Sequence, residues 1–100
     1  SSSGSGPLVV QYVSLRQGPP IGLRLINTDG VDGCVVAGVA SRSAAETAGL
    51  LLDDIVLSVN GKRIHDLNAF TEMAKKLVGK SLALEVLRKG KLKTFHLDMR

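Results

Sequence analysis

Tryptophan is absent, and aromatic residues make up only 3% of the 100-residue chain. A core must therefore be built from aliphatic side chains, and the stacking platforms on which single-stranded nucleic acid lies are nearly missing. There is one cysteine, Cys34. It can form no internal disulfide, so a reducing, cytoplasmic setting is the expectation. Its neighbours Val35 and Val36 place it on a strand, as a buried structural thiol. No run approaches the roughly 18 apolar residues that a membrane-spanning helix needs. Charge of neither sign dominates, since 13 Lys and Arg stand against 9 Asp and Glu, a net +4. That balance is too mild to point to nucleic acid. Much of the positive charge falls late, at Lys75, Lys76, Lys80, Arg88, Lys89, Lys91 and Lys93. These residues read as a solvated face, with acidic phospholipid or an acidic partner as the sharper alternative.

Catalytic and metal frameworks are missing too. No Gly-x-Ser-x-Gly occurs, and no serine has lysine three residues later. His65 and His96 lack a neighbouring Cys or a His-x-x-x-His partner, so no metal site is expected. Adjacent Asp53 and Asp54 would point to opposite faces of a strand and read as turn residues. Neither phosphate-binding glycine pattern appears. The chain is expected not to be an enzyme, to need no cofactor, and to be a monomer.

What is present is the punctuation of one small α+β domain. Residues 1–6 are only Ser and Gly and read as a linker ahead of a domain over 7–100. Leu8–Leu15 is rich in β-branched residues and reads as a strand. Gln17–Pro20 breaks it. From Ile21 the pattern alternates, with Ile21, Leu23 and Leu25 on one side and Gly22, Arg24 and Ile26 on the other. Asn27–Gly30 is a turn, Cys34–Ala40 a strand, and Ser43–Ala48 a small helix that Gly49 ends. Ile55–Val59 alternates with Ile55, Leu57 and Val59 inward, and Asn60–Gly61 is a tight-turn pair. Asp66–Val78 is the one long helical pattern, with Asp66 as N-cap, Phe70, Met73 and Leu77 toward the core, and Gly79 as the stop. Leu82–Leu87 and Leu92–Met99 are strands joined by a turn over Arg88–Lys91. The order β-β-β-α-β-α-β-β predicts an α+β fold, a small curled antiparallel sandwich or partly open barrel of five to six strands capped by two helices.

The segment from Arg16 to Leu23 carries the functional signal. A basic residue is followed by a bend stiffened by Pro19 and Pro20, then by Ile21-Gly22-Leu23 opening an alternating strand. A bend that turns consecutive backbone N–H groups one way makes an anion nest. Gly22 permits an unusual backbone there and leaves room for close approach. An ordinary strand-turn-strand is the alternative from these residues alone.

Pro20-Ile21-Gly22-Leu23 resembles the Gly-Leu-Gly-Phe carboxylate-binding loop of PDZ domains. Ser43-Ala44-Ala45-Glu46-Thr47-Ala48-Gly49-Leu50 is similar to their small first helix, Asp53–Gly61 to their Gly-Asp-x-Ile-x-x-Val-Asn-Gly segment, and Asp66–Val78 to their groove helix. The resemblance covers roughly Leu8 to Met99. It implies a module that binds the free C-terminus of a partner protein by β-strand addition between the second strand and the second helix. The N–H groups of Ile21, Gly22 and Leu23 would hold the carboxylate, with Arg16 assisting. Ile21, Leu23 and Leu25 would line the pocket for the last ligand side chain, and Arg24 and Ile26 would flank the ligand or face neighbouring strands. Leu67, Thr71 and Ala74 would face the peptide, with Val78 near the pocket.

Where many family members have His at the first helix position, Leu67 stands here, which implies an apolar ligand residue two before the end. A register with Asn68 there would favour a polar one, but gives a poorer core. Pro20 in place of the loop's first Gly and Asp53 in place of a Gly depart from the pattern. The short loop between Ile26 and Cys34 implies that only the last few ligand residues are read, and small Ala74 implies a roomy site. A cytoplasmic adaptor or scaffold, drawn to the inner membrane surface by its partners, is the first expectation. A regulatory domain of a larger enzyme such as an HtrA-type protease, an acidic-lipid-binding surface, and a vestigial groove are the alternatives.

Overall fold

The computed structural model describes residues 21–77 and 79–98. The strand expected at Leu8–Leu15, and the candidate site residues Arg16, Pro20 and Val78, lie outside the described residues. The elements are β1 (Leu23–Asn27), β2 (Cys34–Val39), α1 (Ala44–Ala48), β3 (Ile55–Val59), β4 (Lys62–Arg63), α2 (Leu67–Lys76), β5 (Ser81–Arg88) and β6 (Lys91–Asp98).

The strands make one antiparallel sheet in the order β1-β2-β3-β5-β6, with β4 paired to β3. Among the described residues β1 and β6 are its two ends, so the α+β fold is an open six-stranded sheet rather than a closed barrel. Residue chemistry sets its connections. Asn60–Gly61 joins β3 to β4 with φ of 54° and 82°. Lys89–Gly90 joins β5 to β6 with φ of 51° and 78°. Two positive φ values in a two-residue loop match the twist of the strands they connect. Arg88, expected in that turn, is instead the last residue of β5.

Alternation places the core. Leu23 and Leu25 of β1 are buried, whereas Ile26 stands 41% exposed. β3 departs from the alternation expected of it. Val56, Ser58 and Val59 are buried, and Ile55 and Leu57 only half-buried. The register against β5 shifts between Val56 and Ser58, leaving Leu57 as an extra residue that a simple two-residue period misses. The Ser58 hydroxyl answers its burial by donating to Glu85 Oε1 at 3.1 Å.

Helix α2 begins where its cap is written, since Asp66 Oδ1 accepts the Ala69 N–H at 2.9 Å. It stops earlier than expected, at Lys76 with Leu77 as C-cap, and Gly79 lies in the turn beyond. Phe70 and Ala74 are its fully buried residues, with Leu67, Met73 and Leu77 packed at the core margin. The core is otherwise aliphatic, as the scarcity of aromatics requires. Cys34 lies in it with no exposed surface. Burial first, and the Asp66 carboxylate second, push its thiol up from 9.0 to about 11.

Asp54 is more than a turn residue. It is 1% exposed, and its carboxylate accepts Arg88 Nε at 2.9 Å, Arg88 Nη2 at 2.7 Å and the Leu51 N–H at 2.9 Å. The hydrogen bonds from Arg88 to this carboxylate raise the guanidinium pKa further above its usual value. Arg88 also lies 5.3 Å over the Phe95 ring. The pair ties the turn after α1 to the end of β5.

Candidate functional site

The bend at Ile21–Gly22 is held by its own carbonyls. The Ile21 C=O accepts the Ala45 N–H at 3.1 Å, and the Gly22 C=O accepts the Ala40 N–H at 2.8 Å. A trans peptide unit points its C=O and the following N–H in opposite directions, and the chain has no cis bond among the described residues. Turning the Ile21 carbonyl toward α1 therefore turns the Gly22 N–H away from it. Turning the Gly22 carbonyl toward β2 likewise turns the Leu23 N–H to the open side.

Ser43 fixes this arrangement. Its hydroxyl donates to the Ala40 carbonyl at 2.6 Å and accepts the Glu46 N–H at 3.3 Å, capping α1. It also fills the space behind Gly22. A Cβ added at Gly22 would lie 2.2 Å from Ser43 Cβ, and Gly22 has φ +75°. Only glycine meets both conditions. Ser43-x-x-Glu46 is a capping-box spacing that the sequence displays, although Glu46 accepts the Arg42 N–H rather than that of Ser43. Sequence reasoning passed over Ser43 as a site-forming residue.

Beyond the bend, β1 pairs with β2 on one side only, and its other margin is open among the described residues. Leu23 pairs with Val39 and Arg24 with Gly38. Arg24 is half-buried on the outer face above Gly38. The side chains of Ile21, Leu23 and Leu25 lie within the core cluster at 0%, 0% and 3% exposure. They form the floor beneath the open margin.

Helix α2 stands as the facing wall. Leu67 and Thr71 are half-buried and Asn68 is exposed. Thr71 Oγ1 donates back to the Leu67 carbonyl at 3.0 Å. Ala74 belongs to the same buried cluster as Ile21 and Leu23, so it lies deeper than the groove face assigned to it from the sequence. One further residue, absent from the expected set, joins the two walls. Asn27, the last residue of β1, accepts the Leu67 N–H through Oδ1 at 3.1 Å. The resulting site combines outward amides, a free strand margin and an apolar floor. Such a combination can receive an extended chain that ends in an anion.

Comparison with known proteins agrees with the fold. The HtrA3 PDZ domain, solved with the phage-derived ligand FGRWV, matches with a TM-score of 0.68 at 30% identity over 78% of this chain and 81% of that one. The HtrA-type protease AlgW, solved with a decapeptide, matches in fold with a TM-score of 0.73 at 21% identity, covering 81% of this chain and 28% of AlgW. A probable periplasmic serine protease, do/HhoA-like, of Haemophilus influenzae is 36% identical over 72 residues. That match covers 68% of this chain and 15% of the protease, so the chain spans about one-seventh of that relative's length. The cytoplasmic location expected from the single cysteine is overturned by this periplasmic relative. One cysteine has no partner within the chain in any compartment, so its count carried no information about redox setting. The family model for the PDZ domain matches residues 19–99, from the bend through β6, and the chain belongs to the PDZ domain family.

Proposed function

We propose that the chain captures the free C-terminus of a protein as an added strand between β1 and α2. The observation that carries this reading is the pair of outward amides at Gly22 and Leu23, fixed by the Ala45 and Ala40 hydrogen bonds beside the open margin of β1. The terminal carboxylate accepts from these amides and from that of Ile21, with Arg16 and Pro20 shaping the approach. Hydrogen bonds to a charged acceptor contribute about 1.5–3 kcal/mol each, so a free C-terminus dominates recognition. The last ligand side chain settles over Ile21, Leu23 and Leu25, with Val78 on the helix side. Burying a Val or Leu there contributes about 1.5–3 kcal/mol. Leu67 and Thr71 read the residue two before the end, and apolar Leu67 selects an apolar one. Arg24 and Ile26 lie beside the ligand on the outer face. A library of random peptides with free C-termini tests the reading. Enrichment of apolar residues at the last position and at the position two before it is expected; binding without any end requirement overturns it.

The parent protein is read best as an HtrA-type periplasmic serine protease, in which this domain senses peptide ends for a neighbouring catalytic domain. The 36% identity to the Haemophilus influenzae protease favours this over a stand-alone scaffold. The full-length sequence tests it, since a serine protease domain ahead of residue 1 is expected and its absence returns the scaffold reading.

A further inference from the structure

Strand β2 has an open margin of its own. Beside β3 it pairs only through Cys34 and Val35, after which the Val36 N–H donates to the Asp54 carbonyl at 2.7 Å and the Val36 carbonyl accepts the Asp53 N–H at 3.0 Å. Past Val36 it keeps β1 as its one strand partner among the described residues. The Ala40 N–H donates to the Gly22 carbonyl on the β1 side, so the trans peptide unit turns the Val39 carbonyl away from β1. Leu23 and Val39 are thus a non-hydrogen-bonded pair, and the Val39 N–H faces the same way as its carbonyl. On that side Ala37, Val39, Leu50, Leu51, Leu52 and Glu46 border a hollow of about 410 Å³. Leu51 and Leu52 are 56% and 59% exposed. Glu46 is the charged residue of the lining. Its carboxylate accepts the Arg42 N–H at 2.8 Å but pairs with no cationic side chain among the described residues. Asp53, exposed after Leu52, adds a second acid at the turn.

We propose that this hollow receives an extended segment of another protein in which a Lys or Arg stands beside apolar side chains. The Val39 N–H and C=O can pair with the backbone of such a segment, as a strand margin does. Its apolar side chains cover Leu51 and Leu52, which are otherwise held out in water. Its cation meets Glu46, and the acids of this surface repel a segment that carries an acid of its own. A second copy of the chain is disfavoured as the occupant, since each copy carries a net charge of +4. The hollow lies across β2 from β1, so it takes an internal segment, needs no free C-terminus and does not rest on end capture in the groove.

The peptide acetyl-Val-Lys-Val-Lys-Val-amide, which has no free end, tests the proposal by titration against the chain, read from backbone amide NMR shifts. Shifts centred on Val39, Glu46, Leu51 and Leu52, weaker binding at high salt, and no binding of the same peptide with Glu in place of Lys are expected. Glu46→Gln should weaken binding by about twofold to fivefold, as for an ion pair that keeps contact with water. Leu51→Ser with Leu52→Ser should weaken it by at least about tenfold and leave the melting temperature unchanged, because both side chains are exposed. Neither change should alter capture of a free-ended peptide between β1 and α2. Shifts centred instead on Gly22, Leu23 and Thr71, equal binding of the Lys and Glu peptides, or no binding overturns the proposal. So does concentration-dependent movement of the same amides without peptide, which would assign the hollow to a second copy of the chain.

Discussion

Asn27 Oδ1 accepts the Leu67 N–H at 3.1 Å and so ties the end of β1 to the first turn of α2. The Cys34 Sγ lies 3.9 Å from the same oxygen. This side-chain link sets the distance between the two walls of the proposed groove at its far end. Asn27→Ala should therefore weaken peptide binding by about threefold to tenfold, and the fold by about 1 kcal/mol, the usual net contribution of one hydrogen bond. Asn27→Asp keeps the acceptor beside a helix N-terminus and should retain binding. Calorimetric titration of one peptide against the three proteins checks this, and equal affinities would remove Asn27 from the groove.

At Gly22, Ala is expected to cost about 2–4 kcal/mol, from a left-handed backbone without glycine and from overlap with Ser43. Denaturant unfolding measures it. Peptide binding by whatever folded Gly22→Ala protein remains should be lost, because the Gly22 and Leu23 amides can no longer hold their direction.

The Arg88–Asp54 pair joins residues 34 apart in sequence and buries the carboxylate. Removing one partner leaves a buried charge without its counter-charge. Arg88→Met should lower the melting temperature by more than about 5 °C. The double variant Arg88→Met with Asp54→Leu should recover much of that, and scanning calorimetry of the three proteins distinguishes the outcomes.

The raised pKa of Cys34 has a definite sign. A folded-state value of about 11 against 9.0 means that folding favours the protonated thiol. Its contribution to stability is complete below pH 9.0 and is lost as pH rises toward about 11. At pH 8 the native thiol should resist a disulfide reagent and react fully once unfolded; rapid native reaction would contradict its burial.

Local chemistry made much of the fold legible. Asn60–Gly61, the Asp66 cap, the Gly49 stop and the aliphatic alternation of β1 are each written within a few residues, and each formed as its chemistry requires. The misreadings are non-local. The extra residue at Leu57 in β3 follows from pairing with β5, which no two-residue period reveals. Asp54 reads as a turn acid until the fold delivers Arg88 to it. Asn27 looks like a turn residue until α2 arrives beside it. Ala74 was set on the groove face by the family resemblance, but in the fold it is buried with Phe70 in the core cluster. At the bend, glycine and prolines signalled an unusual backbone. Which way its amides point was decided by Ala40, Ala45 and Ser43, more than 15 residues downstream.

The most direct measurement compares one apolar-ended peptide with a free C-terminal carboxylate against the same peptide amidated, by calorimetric titration. The free form should bind near 1 μM, about −8 kcal/mol. Amidation should weaken it by at least about tenfold, the loss of a single charge-assisted hydrogen bond. Equal affinity for the two forms would contradict end capture at Gly22 and Leu23.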